Sequence, residues 1–192
     1  MITAKECENL VKVTLSKKRA HHVFCVRDMA VQLAEIYGAD KEKAEIAALL
    51  HDIQKEAPDE ENLQLLMQSD IIHTAVEELP RHILHGPAAA VLSKEKLHIT
   101  DEEILSAIAW HTTGKEGMSL LDKILYVADK TSTERNYPGV EAFRTLSLQG
   151  KLNEALIEIM GDMVNVVLKK STQEDDTTQR ALQYLLREKN GG

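Results

Sequence analysis

Polar side chains that could bind a metal ion recur on the apolar faces of predicted helices. They are His22, His51 with its neighbour Asp52, His111 and Asp129. Apolar residues lie three, four or seven positions from these polar residues. In a helix, residues at such spacings share one face, so the polar side chains would point inward together with the apolar ones. Burial of a polar group costs several kcal/mol unless the group is hydrogen-bonded or coordinated. Because histidine and carboxylate ligands suit zinc, manganese, iron and similar divalent ions, the pattern indicates a metal centre between helices.

Each of these residues also has an ordinary explanation when it is taken alone. His22 or His111 could be a core histidine that hydrogen-bonds a carbonyl group. Asp129 could form a salt bridge at a helix end, and Asp52 or His85 could belong to a loop. These explanations do not account for inward-facing ligand types on several separate helices at once. The combination therefore favours the metal centre.

The elements that would position these residues are helices. Hydrophobic residues recur with the period of an amphipathic helix, and no alternating strand pattern of useful length is present. Capping boxes predict helix starts at Thr3-Ala-Lys-Glu6 and at Thr100-Asp-Glu-Glu103. Other start signals predict helices that begin after Asp40, at Gly86-Pro87 and after Ser119. Both ends are predicted for four more helices, which are Ser16 to Tyr37, Glu60 to Gln68, about Leu152 to Lys170 and about Thr178 to Glu188. Pro138-Gly139 is predicted to be a turn and Ser171–Thr178 a loop. The sequence therefore predicts an all-α fold.

The composition argues against several classes of protein. The 192-residue chain has a formal net charge of −8 at pH 7, whereas non-specific nucleic-acid binding uses an excess of Lys and Arg. The longest stretch without Asp, Glu, Lys or Arg is 82–93. A membrane-spanning helix needs roughly 18 apolar residues, so this stretch is too short to be one. The two cysteines, Cys7 and Cys25, suit a reducing compartment better than a disulfide framework. We expect a cytoplasmic protein that binds neither nucleic acid nor a membrane.

The ordered set of histidine and aspartate residues resembles a known signature. Arg19-Ala-His-His22, Leu50-His51-Asp52 and the distant Asp129 are similar to the H…HD…D pattern of the HD superfamily of metal phosphohydrolases. Further strings resemble the YqeK-type symmetrical diadenosine tetraphosphate hydrolases, namely Tyr37-Gly38-Ala39-Asp40, Leu84-His85-Gly86-Pro87, His111-Thr112-Thr113-Gly114, Gly117-Met118-Ser119 and Pro138-Gly139-Val140-Glu141. The resemblance covers about residues 16–187.

The resemblance implies both the architecture and the reaction. It implies a single HD-type domain over residues 1–192, with a helical-bundle core at about 16–146 and a C-terminal extension of helices at about 152–189. It implies that diadenosine tetraphosphate is hydrolysed symmetrically to two ADP. The expected partner is thus a small dinucleoside polyphosphate or another nucleotide. A homodimer is expected from the resemblance alone.

The resemblance also assigns roles to individual residues. It implies metal binding by His22, His51, Asp52 and Asp129, and contact of His85 and His111 with a second metal ion or with substrate phosphates. Asp52 could bridge two ions through its two oxygens, which makes it the catalytic candidate. The expected cofactor is one or two divalent ions. Iron is preferred, and manganese, cobalt, nickel and zinc are alternatives.

Three further residues are candidates for binding the phosphates of the substrate. Lys55 is one helical turn from Asp52, and Arg135 has a guanidinium suited to bidentate phosphate recognition. Thr112 could donate a hydrogen bond to a phosphate oxygen. Each also has an ordinary alternative. Lys55 could be a solvated residue in a charged turn, Arg135 could pair with Glu134 at the surface, and Thr112 could cap a helix end.

One segment departs from the family pattern. After the last aspartate the family typically reads Ile-Glu-Pro-x-Arg, whereas this chain reads Thr131-Ser132-Thr133-Glu134-Arg135. The departure at Ser132-Thr133 bears on substrate contacts in this loop and not on the metal ligands.

Two other functions stay open, an HD phosphohydrolase of other nucleotides and a nucleotide-sensing HD module without turnover. A sensor would be expected to lose some of the candidate ligand positions, and all of them are filled here.

Overall fold

Helices and their connections make up the part of the chain that the computed structural model describes, residues 2–69, 80–170 and 177–191. These residues contain no strand, which confirms the all-α prediction. The α-helices are α1 (Ala4–Thr14), α2 (Lys17–Tyr37), α3 (Lys41–Leu50), α4 (Asp59–Met67), α5 (His85–Glu95), α6 (Glu102–Trp110), α7 (Leu120–Thr131), α8 (Val140–Leu148), α9 (Leu152–Lys170) and α10 (Thr177–Lys189). A short 3-10 helix, Arg81–Ile83, precedes α5.

Most helix ends lie where local sequence signals place them. Thr3 and Ser119 each close a capping box at the start of α1 and α7. Ser16 and Asp40 accept hydrogen bonds from the first free N–H groups of α2 and α3. Gly38 ends α2 at φ 71°, in the left-handed conformation that glycine adopts without steric cost. The long helix α2 and its neighbours are therefore set largely by short-range hydrogen bonds.

The start of α6 corrects one prediction. The capping box expected at Thr100 is wrong, because Asp101 is the N-cap residue. The Asp101 Oδ1 atom accepts hydrogen bonds from the N–H groups of Glu103 at 3.0 Å and Ile104 at 3.3 Å. A carboxylate is a stronger acceptor than a hydroxyl group. The other oxygen of Asp101, Oδ2, forms an ion pair with the Nζ atom of Lys43 at 2.8 Å. Asp101 therefore caps α6 in place of the neighbouring Thr100.

Two further segments differ from the sequence prediction. Helix α8 was not predicted, because it begins after Gly139 without any side-chain cap and thus lacks the usual start signal. Of the predicted loop Ser171–Thr178, the last two residues belong to α10, whose first residue is Thr177. Residues 171–176 lie outside the described residues.

Helix α2 packs against α3 and α7, while α6 packs against α3, α5 and α7. Buried apolar side chains of α1–α3 and α5–α10 form one continuous cluster, to which the C-terminal helices contribute Leu156 and Leu185. We therefore propose that the chain forms the single domain that the resemblance implies. None of the described helices is both long and apolar enough to cross a membrane.

The cap assignment of α6 can be tested by a pair of adjacent substitutions. Asp101→Ala should lower the free energy of unfolding by about 1 kcal/mol or more, because two N–H groups lose their acceptor. Thr100→Ala should change it by less than about 0.5 kcal/mol, because Thr100 is exposed and lies outside the helix. Urea unfolding of both variants measures the difference. Equal losses would contradict the assignment.

Candidate metal centre

Six polar side chains, most of them at helix ends, surround one buried point. They are His22 near the start of α2, His51 at the C-cap of α3, Asp52 directly after it, His85 at the start of α5, His111 at the C-cap of α6 and Asp129 in the last turn of α7. All of these side chains are buried. Their elements are distant in sequence, so the site depends on how the helices pack.

The carboxylate of Asp52 stands between two pairs of histidines. Its Oδ2 atom is 3.5 Å from Nε2 of His22 and 3.6 Å from Nε2 of His51. Its Oδ1 atom is 3.3 Å from Nε2 of His85 and 3.6 Å from Nε2 of His111. Each oxygen therefore faces its own pair of ring nitrogens, an arrangement that a carboxylate bridging two ions would need.

Asp129 completes the group on the Oδ2 side of Asp52. The Asp129 Oδ1 atom is 3.1 Å from Nε2 of His22 and 4.0 Å from Nε2 of His51. Among the described residues, two sets have ligand atoms within 4.8 Å of one another, His22 with His51 and Asp129, and His51 with Asp52 and His111. The structure thus brings the four predicted metal-binding residues together, with the other two histidines beside them.

Backbone carbonyl groups fix two of the histidine rings. Nδ1 of His51 donates to the carbonyl oxygen of Ala48 at 2.6 Å, and Nδ1 of His111 donates to that of Ile108 at 2.8 Å. Both histidines are C-cap residues, and the carbonyl groups of a last helical turn have no N–H partner within the helix. Because a carbonyl oxygen only accepts, each Nδ1 carries a proton, which leaves Nε2 as the atom of each ring that faces Asp52.

Unsatisfied ring nitrogens show that the residues present fit a metal ion. The Nε2 atoms of His22 and His51 are buried and have no hydrogen-bond partner of acceptable geometry. An unsatisfied buried polar atom costs roughly 1–3 kcal/mol. A divalent cation beside the carboxylates of Asp52 and Asp129 would satisfy both nitrogens. Imidazole and carboxylate donors are also the ligands that zinc, iron and manganese accept.

Burial sets the protonation states on one side of the site. It lowers the pKa of His51 to about 3 and the pKa of His85 to about 4, so both rings are neutral near pH 7. Burial alone would raise the pKa of Asp52, but His51, His111 and His85 in their protonated forms hold it well below its ordinary value, so the carboxylate ionises before these rings lose their protons. Neutral imidazole and ionised carboxylate are the forms that bind a metal.

His22 and Asp129 attract positive charge on the other side. Burial opposes a charge on each of them, yet Lys130, His22 and Arg135 hold the pKa of Asp129 well below its ordinary value. Burial likewise acts to lower the pKa of His22, but Asp129 and Glu134 raise it above its ordinary value. The surroundings of the His22 Nε2 atom therefore favour a cation at that position.

The predicted phosphate-binding residues border the site. Nη2 of Arg135 is 2.6 Å from Oδ1 of Asp129, and its Nε atom donates to the Asp129 main-chain oxygen at 2.8 Å. Nζ of Lys55 is 3.3 Å from both ring nitrogens of His85. The Thr112 Oγ1 atom is 3.3 Å from Nε2 of His85. All three candidates therefore lie next to the proposed ligands.

Two basic residues at the site were missed in the sequence. Nη1 of Arg19 donates to Oδ2 of Asp52 at 2.9 Å, and Nζ of Lys130 donates to Oδ2 of Asp129 at 2.5 Å. Arg19 precedes His22 by three positions, so helical spacing could have placed both on one face. Lys130 adjoins Asp129, and adjacent helical residues point about 100° apart, so spacing gives no such signal.

Proteins of known family are similar to this chain along most of its length. The HD domain family model matches residues 19–134. A Bacillus subtilis protein named bis(5'-nucleosyl)-tetraphosphatase, symmetrical, is 39% identical over 84% of this chain and 86% of its own length. The protein of that name from Halalkalibacterium halodurans is 37% identical over 94% of this chain and 96% of its own length. This chain belongs to the HD domain family, on the branch of these tetraphosphatases.

A solved structure shares the fold of this HD domain protein. It is a Clostridium acetobutylicum protein described as a predicted HD superfamily hydrolase involved in NAD metabolism. The two structures match with a TM-score of 0.89 and 34% sequence identity, over 98% of this chain and 99% of the other. The family resemblance seen in the sequence is therefore confirmed.

The neutral, buried histidines predict how the stability of the metal-free HD domain protein depends on pH. Unfolded histidines bind a proton near pH ~6.5, whereas His51 and His85 in the fold bind one only near pH 3 and pH 4. The unfolded state thus binds more protons in this interval, and the free energy of unfolding should fall as the pH falls. The loss approaches about 1.4 kcal/mol per pH unit for each histidine.

Urea unfolding after removal of metal by a chelator, at about pH 6 and about pH 4.5, measures this dependence below the interval in which the raised pKa of His22 acts in the opposite direction. His85→Asn should reduce its slope. His82→Gln, at an exposed histidine, should leave the slope unchanged. A free energy of unfolding that stays constant or rises with acidification would contradict the burial of neutral histidines.

Proposed function

We propose that this protein uses a divalent metal to hydrolyse diadenosine tetraphosphate symmetrically to two ADP. The observation that carries the proposal is the Asp52 carboxylate, held between two histidine pairs. Such a donor set suits metal-assisted hydrolysis of a phosphoanhydride. The choice of substrate is supported by three relatives, between 33% and 39% identical, that bear the name of the symmetrical tetraphosphatase.

The proposed metal ligands are His22, His51, Asp52 and Asp129, and His85 and His111 are proposed to hold a second ion or substrate phosphates. When bound, a divalent ion lowers the pKa of water toward ~7 and supplies positive charge near the phosphates. The two oxygens of Asp52 face separate histidine pairs, which supports two ions as well as one. Asp52 is therefore the proposed catalytic residue.

The identity of the ion, the assembly and the location are proposed on the family resemblance. Iron is the preferred ion, and manganese, cobalt, nickel and zinc are alternatives, since imidazole and carboxylate ligands accept all of them. The proposal includes a homodimer in the cytoplasm. Cys7 and Cys25 are both free thiols, which suits a reducing compartment.

The reaction divides the substrate at its central phosphoanhydride. Water adds to one of the two central phosphorus atoms, and the bond from that atom to the bridging oxygen breaks. The bridging oxygen leaves with the second ADP, and the proton of the attacking water passes to solvent. Lys55 and Arg135 are proposed to stabilise the charge of the phosphates, with Thr112 as a hydrogen-bond donor. The guanidinium of Arg135 can bind two phosphate oxygens at once.

Product analysis tests the reaction directly. Incubation of the protein with diadenosine tetraphosphate and iron, manganese or cobalt should give ADP as the only nucleotide product, and a chelator should abolish cleavage. Chromatography of the nucleotides measures both. Equal amounts of AMP and ATP would keep a metal hydrolase and reject symmetrical cleavage. Absence of cleavage by a protein shown to contain metal would favour a nucleotide sensor.

Asp52→Ala should abolish turnover and leave the fold intact, because the substitution removes the carboxylate that faces all four histidines. The rate of ADP formation measures the effect, and circular dichroism checks the helix content. Asp28→Ala is the matched control, since the side chain of Asp28 is 69% exposed and lies on the surface of α2. Turnover of Asp52→Ala within a factor of about 10 of wild type, or about 1.4 kcal/mol in the barrier, would contradict a central role.

A further inference from the structure

His22 differs from the other fixed histidines of the site in what holds its ring. His51 and His111 lie at helix C-caps and use carbonyl groups of their own last turns. His22 lies within α2, which continues to Tyr37, so the carbonyl groups around it are engaged in the helix. The acceptor for its Nδ1 atom must therefore come from another part of the chain.

A glutamate from the loop after α7 provides that acceptor. The Oε1 atom of Glu134 is 2.5 Å from Nδ1 of His22. A glutamate is ordinarily ionised near pH 7, and the ring of His22 and the hydroxyl of Ser132 both approach the same Oε1 atom as hydrogen-bond donors. Because a carboxylate only accepts, Nδ1 carries a proton, and Nε2 is the ring atom that faces Asp129 and Asp52.

The loop holds the Glu134 carboxylate in place. The hydroxyl of Ser132 donates to the same Oε1 atom at 2.9 Å. The guanidinium of Arg144 donates to the main-chain oxygens of Thr131 at 2.8 Å, Ser132 at 2.9 Å and Arg135 at 3.2 Å. Ser132 thus holds the carboxylate of Glu134, and Arg144 holds the loop backbone on both sides of it, which suits a positioning role.

We propose that Glu134 is a positioning residue that fixes the ring and the tautomer of His22, so that Nε2 is the metal-binding atom. The proposal rests on the metal-dependent function proposed above. Carboxylates that hold the second nitrogen of a ligating histidine raise its basicity and orient its ring. Glu134 and Ser132 both lie in the segment that departs from the family's Ile-Glu-Pro-x-Arg pattern.

Binding of Mn²⁺ to the metal-free full-length protein tests the proposal, with free Mn²⁺ counted by its electron paramagnetic resonance signal. Glu134→Ala should weaken Mn²⁺ binding by about tenfold or more. Glu134→Gln should restore most of the affinity, because its amide oxygen can accept from the same Nδ1–H group. If Glu134→Ala does not fold, Ser132→Ala is used, and a smaller loss of affinity is expected.

A matched control separates positioning from general stability. Glu56 accepts hydrogen bonds from the backbone N–H of Ser16 at 2.7 Å and from its hydroxyl at 2.6 Å, at the start of the same helix as His22. Glu56→Ala should lower the melting temperature and leave Mn²⁺ affinity unchanged. Nitrogen-15 NMR of the metal-free protein at alkaline pH should show one His22 tautomer in the wild type and a mixture in Glu134→Ala.

Wild-type Mn²⁺ affinity in Glu134→Ala, together with an unchanged His22 tautomer and lower stability, would overturn the positioning role. That result is distinct from failure of the proposed function. A wild-type protein that binds Mn²⁺ but does not cleave diadenosine tetraphosphate would reject the reaction, while the affinity difference between Glu134→Ala and Glu134→Gln would still support the role of Glu134.

Discussion

The burial of one carboxylate among four histidines is the constraint on which this site depends. A buried ion without compensation costs several kcal/mol, so the charge of Asp52 requires partners on every side. Its oxygens face the Nε2 atoms of the histidines, and Arg19 donates to Oδ2 at 2.9 Å. The same burial keeps His51 and His85 neutral. The same environment thus holds an ionised carboxylate beside neutral imidazoles, a combination that suits a divalent metal ion.

Helix termini explain how a compact all-α fold can provide such a set. The last turn of an α-helix has carbonyl groups without partners, and these groups hold the Nδ1 atoms of His51 and His111. The rings are thereby oriented by the backbone itself, with little dependence on other side chains. His22 lies within α2, and its Nδ1 atom is held by the carboxylate of Glu134. The orientation of its ring therefore depends on the loop after α7.

The sequence predicts most of the helices and the burial of the histidine and aspartate side chains, because both are encoded over a few residues. Ser119 marks the start of α7 through a local capping box, and helical spacing places His22 on an apolar face. Contacts between distant segments leave no such signal, as in the bond between His22 and Glu134, which are 112 positions apart. The sequence also does not decide whether Thr100 or Asp101 is the N-cap of α6, because both residue types can cap a helix. The ion pair with Lys43 that favours Asp101 is formed only by tertiary packing.

Anomalous diffraction from crystals of the iron-loaded protein, at the iron absorption edge, tests the metal centre most directly. The predicted result is an anomalous peak in direct coordination contact with His22, His51, Asp52 and Asp129, and a second peak between Asp52, His85 and His111 if two ions bind. A protein that contains iron by elemental analysis but shows no anomalous density at Asp52, or shows it only at other residues, would contradict the proposed centre.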